Sequence, residues 1–145
     1  MPAPHTPEST RLDHVGLNVT DLASCARWYG AAFGYEVELE LRVDPIDLDI
    51  VMLRHPDGTR LELLHRPGAS PGPRAADPAE AALTEGFSHL AFDVRGLDGE
   101  FARLVLLGAR EVMTPRPSPE EGVRMAYLAD PEGNLVELVE RPEPE

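Results

Sequence analysis

The sequence predicts an α+β protein made of two copies of one strand, helix, three-strand (βαβββ) module, and two observations carry that prediction. The first is register: 48 positions separate His14 from Glu62 and again His89 from Glu137, and the second pair is the first displaced by 75. The second is local likeness at that displacement. Leu12-Asp13-His14-Val15-Gly16-Leu17-Asn18-Val19 lies against Phe87-Ser88-His89-Leu90-Ala91-Phe92-Asp93-Val94, and His55-Pro56-Asp57-Gly58-Thr59 against Asp130-Pro131-Glu132-Gly133-Asn134. A repeat that keeps an imidazole and a carboxylate in register points to one site shared between the copies.

Each element has a local reason. Leu12 to Val19 alternates as a half-buried strand, and Asp21 is an N-cap for a helix whose apolar positions Leu22, Cys25, Ala26, Tyr29 and Phe33 follow helical spacing. Gly34 ends it. Tyr35 to Val43, Leu48 to Arg54 and Arg60 to His65 read as strands, the last two joined by the His55 to Gly58 turn. The second copy repeats the order: strand Phe87 to Val94, helix Leu97 to Leu107 stopped by Gly108, then strands Arg110 to Thr114, Val123 to Ala129 and Leu135 to Glu140. The organisation expected is a tail at 1–10, a first module at 11–66, a linker at 67–85, a second module at 86–141 and a tail at 142–145. The linker is rich in Pro, Gly and Ala, and Asp77-Pro78-Ala79-Glu80 within it predicts a short helix over Pro78 to Thr84.

Composition excludes several classes. With 145 residues and 42% hydrophobic content the chain fits one compact domain or two small fused units. A net charge of −13 argues against a nucleic-acid partner, which needs clustered cations to displace counterions. No apolar run approaches the roughly 20 residues of a membrane span, and the N-terminus has no signal-peptide core, so a cytoplasmic protein is expected. Cys25 is the single cysteine and forms no internal disulfide. All 13 basic residues are Arg, which removes Schiff-base and P-loop lysine chemistry.

Strand alternation places His14 with Gly16 and Asn18 on one face, and His89 with Ala91 and Asp93, each opposite the apolar face that packs on a helix. Glu62 and Glu137 each interrupt an otherwise apolar strand, and burying a lone carboxylate is costly enough to require a cationic partner. Two imidazoles and two carboxylates, with no thiolate, suit a divalent transition metal with one or two positions left open. The other histidines have plainer readings: His5 lies in the tail, His55 in a turn, and His65 on the strand face opposite Glu62. Trp28, Tyr29 and Cys25 read as packing residues of the first helix. Gly68-Ala69-Ser70-Pro71-Gly72 matches a nucleophile elbow formally, but Pro71 and Pro73 oppose the helix that an elbow needs.

Leu-Asp-His-Val-Gly-Leu-Asn-Val-Thr-Asp-Leu, Trp28-Tyr29, Phe33-Gly34, Phe-Ser-His-Leu-Ala-Phe-Asp-Val and Asp-Pro-Glu-Gly-Asn-Leu-Val-Glu-Leu-Val resemble the vicinal oxygen chelate superfamily over residues 11 to 141. Glyoxalase I, methylmalonyl-CoA epimerase, extradiol dioxygenases, fosfomycin-modifying enzymes and bleomycin-binding proteins belong to it. The resemblance implies paired βαβββ modules forming a cupped mixed sheet around a shared metal site. It implies His14, Glu62, His89 and Glu137 as ligands of one divalent ion per chain, with Zn, Ni, Co, Mn and Fe all open. An acidic second ligand, Glu62, looks like glyoxalase I and somewhat like the epimerases, and unlike the dioxygenases.

Two positions depart from that pattern. Bacterial glyoxalase I proteins carry an Arg four residues after the first ligand and an Asn four after the second, where this chain has Asn18 and Arg66. That points away from a glutathione adduct. Tyr127 stands where fosfomycin-modifying relatives place a substrate-contacting tyrosine. The resemblance thus implies a metal-dependent lyase or isomerase of the glyoxalase I type that moves a proton next to a carbonyl through an enediolate or enolate. Glu137 is the first candidate for the base and Glu62 the second, while Tyr127, Asn18 and Arg66 are candidates for contacting substrate. A small-molecule substrate and a homodimer are expected. The alternatives are an epimerase of an acyl thioester or natural-product intermediate, and a binding protein that sequesters a metabolite or antibiotic without turnover.

Overall fold

The computed structural model describes residues 1, 3 and 10–144. Most of the expected N-terminal tail, His5 included, and Glu145 lie outside the described residues. The chain is α+β and divides into two compact units, Met1–Ala69 and Ser70–Glu145. The first holds β1 (His14–Asn18), α1 (Leu22–Phe33), β2 (Glu36–Val43), a 3-10 turn at Asp44–Ile46, β3 (Leu48–Arg54) and β4 (Arg60–His65). The second holds α2 (Pro78–Ala81), β5 (Leu90–Asp93), α3 (Leu97–Leu106), β6 (Arg110–Pro117), β7 (Arg124–Ala129) and β8 (Leu135–Glu140). The sheets have the same topology, β1-β4-β3-β2 and β5-β8-β7-β6. In each, the first strand runs parallel to the last and the other pairs are antiparallel.

The helices form where local chemistry closes their ends. Asp21 caps α1 by accepting from the Ser24 N–H at 2.9 Å. Gly34, at φ 82°, takes the left-handed cap conformation and donates its N–H to the Gly30 carbonyl. The buried residues Cys25, Trp28, Tyr29 and Ala32 fall on one stripe of α1 and pack toward β3 and β4, whose inward set is Val51, Leu53, Leu61 and Leu63. Trp28 and Tyr29 meet edge to face, 4.8 Å between centroids, as core residues. In the second unit Leu97, Phe101 and Leu104 of α3 pack toward β6, β7 and β8, whose buried set includes Ala126, Leu128, Val136 and Leu138. Each fully buried Leu contributes about 1.5–3 kcal/mol from the area it removes from water.

α3 has no capping side chain before it, because Gly96 occupies that place. Glu140 supplies the missing acceptor from β8, taking the Leu97 N–H at 2.7 Å. The turn before β8 is organised by Asp130, which is buried and whose carboxylate accepts from the Glu132 and Asn134 N–H groups and the Asn134 side-chain amide. From the preceding segment, Arg74 donates to the Glu132 carbonyl at 2.6 Å. A Cβ at position 133 would lie 2.8 Å from Arg74 Cδ, and φ there is 89°, so that turn needs Gly133.

Three boundaries differ from the sequence expectation by three residues, the others by one or two at most. β5 begins at Leu90, so His89 immediately precedes the strand and Phe87 is fully exposed. Leu90 is paired with Val136, and continuing that register places Phe87 opposite Gly133, inside the turn. β6 runs on past Thr114 to Pro117, with register shifts on either side of Met113; as an edge strand it tolerates Pro115 and Pro117, which donate no hydrogen bond. α2 spans only Pro78–Ala81, closed by Asp77 accepting from the Glu80 N–H at 2.8 Å.

Candidate metal centre

Strand pairing aligns each proposed ligand carboxylate with its neighbours. In the first unit Glu62 of β4 lies between Gly16 of β1 and Met52 of β3. In the second, Glu137 of β8 lies between Ala91 of β5 and Tyr127 of β7. These are the same positions of the repeat, and in both units the carboxylate face is opposite the helix-packed face.

The histidines meet these carboxylates within their own units. His14 Nε2 lies 3.7 Å from Glu62 Oε1, and His89 Nε2 lies 3.2 Å from Glu137 Oε1. The side chains are part-exposed, 36% and 21% for the first pair and 27% and 16% for the second, so both pairs stay open to solvent-borne ligands. Gly16 keeps the space beside Glu62 free: a Cβ there would sit 3.4 Å from Glu62 Oε1.

The far nitrogen of each ring is also engaged. His14 Nδ1 donates to Asp13 Oδ2 at 2.7 Å, and this bond is the main reason the Asp13 carboxyl is held below the usual range. His89 Nδ1 lies 2.9 Å from the Ser88 hydroxyl. Asp13 and Ser88 hold equivalent places in the repeat, each just before its histidine. A polar residue directly preceding each histidine was the signal for this in the sequence, and the strand-face reading passed over it because adjacent residues point apart in a strand. Neither residue is within a strand.

Tyr127 is buried, with its hydroxyl 3.4 Å from His89 Nε2 and its ring edge-on to the imidazole at 5.1 Å. Burial first, and then the Glu137 carboxylate, push its phenol up to about 12, so it is a protonated donor at neutral pH. Asn18 is exposed at the end of β1, on the His14 face and opposite Leu64. Arg66 is exposed beyond the end of β4. The structure therefore brings together His14 with Glu62, and His89 with Glu137 and Tyr127, and leaves Asn18 and Arg66 apart from those pairs. His65 is used structurally, its Nδ1 lying 2.9 Å from the Val19 carbonyl.

Of the acidic residues of β2 and β3, Glu38 and Asp49 form ion pairs. Glu38 holds Arg60 through two bonds at 2.7 and 3.1 Å, and Arg42 is surrounded by Asp44, Asp47 and Asp49.

The chain is a duplicated βαβββ unit with a His–Glu pair at the same place in each copy, and residues 11–138 match the family described as Glyoxalase/Bleomycin resistance protein/Dioxygenase superfamily. The chain belongs to that superfamily. No curated protein sequence matches it. Among solved structures, SMU.1112c is similar with 27% identity and a TM-score of 0.72, covering 90% of this chain and 98% of that one. A glyoxalase family protein from Bacillus cereus is similar at 23% identity and a TM-score of 0.75, over 92% of this chain and 95% of its own. Glyoxalase I from Zea mays is similar at 20% identity and a TM-score of 0.73; the match covers 92% of this chain and 45% of the maize chain, about half its length. At such identities the last two establish the shared fold alone.

Divalent metals are typical of the superfamily, and the donor chemistry fits one. Each unit turns an imidazole nitrogen and a carboxylate oxygen toward each other, with the other ring nitrogen hydrogen-bonded, the arrangement that orients metal-ligating histidines. Among the described residues no three His, Cys, Asp or Glu side chains form a ready-made metal cluster.

Proposed function

We propose that the protein is a metal-dependent lyase or isomerase of the glyoxalase I type that moves a proton on a carbon next to a carbonyl. The observation that carries this is the repeated pair, His14 with Glu62 and His89 with Glu137, set in matching register in a superfamily that includes such enzymes. These four residues would hold one divalent ion. When bound, the ion supplies Lewis-acid polarisation of the substrate carbonyl.

The chain's own residues do the rest. Glu137 is the base, taking the proton from the carbon beside the carbonyl and returning it to the neighbouring position. Its neighbours, Ala91 and Tyr127, contribute no positive charge that would quench its basicity. Tyr127 presents a protonated hydroxyl beside His89, a donor for a substrate oxygen on which charge develops. Met52, Ile50 and Leu64 share the Glu62 face by strand register, and Met125 and Val139 the Glu137 face, so the substrate body they suit is small and apolar rather than a charged peptide. Asn18 and Arg66 fit contacts to the outer part of the substrate.

The test is a panel of hemithioacetals and acyl thioesters in deuterated water with the metal-loaded protein. Isomerisation with solvent exchange at the carbon next to the carbonyl supports the proposal. Exchange without skeletal isomerisation would replace it with an epimerase, and chelator-insensitive binding without turnover with a sequestering protein.

Among the described residues no helix is long and apolar enough to cross a membrane. A cytoplasmic homodimer completes the proposal. Its support is the apolar set Val37, Leu39, Leu41 and Val43 of β2, 38–56% exposed, and the check is light scattering of the purified protein.

A further inference from the structure

The two histidines differ in what binds their Nδ1 atoms, and hydrogen-bond chemistry turns that difference into a difference of tautomer. An ionised carboxylate only accepts hydrogen bonds. Asp13 Oδ2 lies 2.7 Å from His14 Nδ1, so the proton of neutral His14 sits on Nδ1. Its Nε2 then carries a lone pair, and Glu62 Oε1 at 3.7 Å is too far for a hydrogen bond. His89 has the reverse arrangement. Its Nε2 lies 3.2 Å from Glu137 Oε1, which can only accept, and the Tyr127 hydroxyl, 3.4 Å from the same nitrogen, has the Glu137 carboxylate as acceptor for its own proton, so the proton of neutral His89 sits on Nε2. The Ser88 hydroxyl, 2.9 Å from Nδ1, then donates to that ring nitrogen. A hydroxyl also accepts, so Ser88 can serve either tautomer by rotating.

We propose that Asp13 is a positioning residue that fixes His14 as a preformed Nε2 metal donor, whereas His89 rests in the opposite tautomer and becomes a donor only when its proton moves to Nδ1 and Ser88 turns from donor to acceptor. The metal half of this inference rests on the proposed function; the tautomer half stands without it. Asp13 acts through His14 and needs no contact with substrate. Its side chain is 71% exposed, so replacing it leaves the core untouched.

Two measurements on the full chain test this. The first is long-range proton–nitrogen NMR of the chelator-treated protein at about pH 8, where free imidazole is neutral, with signals assigned through His14→Gln and His89→Gln. Wild type should show an unprotonated Nε2 in His14 and an unprotonated Nδ1 in His89. Asp13→Ala should shift His14 to a mixture of tautomers, and Asp13→Asn, which keeps an acceptor oxygen, should restore the wild-type pattern. The second is zinc affinity by competition with a chromophoric chelator. Asp13→Ala should weaken binding about 10–100-fold, the usual cost of losing an outer partner of a ligating histidine. Ser88→Ala should weaken it less than Asp13→Ala.

A His14 protonated on Nε2 in wild type, or an Asp13→Ala protein with unchanged tautomers, overturns the proposal. Unchanged zinc affinity in Asp13→Ala overturns the positioning role. Tautomers as assigned in a wild type that binds no zinc would uphold the tautomer assignment and overturn the metal reading of the site.

Discussion

The two units share topology and ligand register, but their site faces have been furnished differently. Around His14 the first unit has Asp13, Arg60 and, in the β2 bulge, Glu38, a chain of ion pairs and hydrogen bonds ending on the ligand itself. The corresponding places in the second unit hold Ser88, Leu135 and the β6 bulge residue Val112. Next to the carboxylates, Gly16 and Met52 in the first unit stand where the second has Ala91 and Tyr127. The first unit thus surrounds its histidine with charged groups, and the second sets its pair beside an aromatic hydroxyl and apolar side chains. Duplication preserved the His–Glu pairs while their neighbours diverged, and under the proposed function the first unit would be the binding half and the second the chemical half.

The largest effect expected from breaking that comparison is on metal binding. Near-unit stoichiometry of divalent metal per chain should be measured after loading, and His89→Ala should lower it strongly. The His14→Ala/His89→Ala double variant should bind essentially none. Equal metal content in that variant and in wild type, by elemental analysis, would remove both halves of the site at once.

Next in size is the contrast between the carboxylates. Glu137→Gln keeps an oxygen donor of similar shape and loses most of its basicity, so proton exchange should fall about 100-fold or more at measured metal occupancy. Glu62→Gln should cost much less. If the order is reversed at full occupancy, the binding and chemical halves have been assigned the wrong way round.

Much of this was legible in the chain. The period of the repeat placed both pairs, and the strands Leu48–Arg54, Arg60–His65 and Leu135–Glu140 have the bounds that alternation and turn residues indicate. The cap at Asp21 and the stop at Gly34 were equally plain, because both are local chemistry. What escaped was set at a distance. Phe87 and Ser88 look like strand residues, but the register with β8 runs into the Gly133 turn before reaching them. The partners of Glu38 and Arg60 are 22 residues apart, and the cap of α3 arrives from Glu140, 43 residues beyond Leu97. No window of sequence contains those pairs. Asp13 and Ser88 were adjacent to the ligands and still escaped, since a strand reading sends neighbouring side chains to opposite faces.

A smaller effect sharpens the comparison from the second unit. Tyr127→Phe removes one hydroxyl and keeps the ring against His89. Zinc affinity should change less than threefold, an effect on the order of a neutral hydrogen bond or below, while turnover of a substrate found in the panel should fall more. Alkaline titration followed by tyrosine absorbance should show one phenol ionising near about 12 in wild type and absent from the Tyr127→Phe protein.

The smallest effect belongs to the charged rim of the first unit, and its pH dependence distinguishes that rim from its apolar counterpart. Arg60 binds both oxygens of Glu38 and so holds the Glu38 carboxyl below its ordinary value, hydrogen bonding being the main cause. A carboxyl with a lowered folded-state value contributes stability that is fully present above the unfolded value of about 4.3. That contribution fades as pH falls through the lowered folded value, because both states then bind the proton alike. Glu38→Gln should therefore lower the melting temperature slightly at pH 7, by about 1–3 °C, and the gap from wild type should close on acidification to about pH 2–3. Added salt should shrink it as well, since the pair is reached by solvent. The parallel change Val112→Gln in the second unit's bulge has no cation to lose, so its difference from wild type should be flat across the same pH range. A Glu38→Gln gap that stays constant down to pH 2 would mean that the side chain acts through packing, and the contrast between a charged rim and an apolar one would then lose its energetic content.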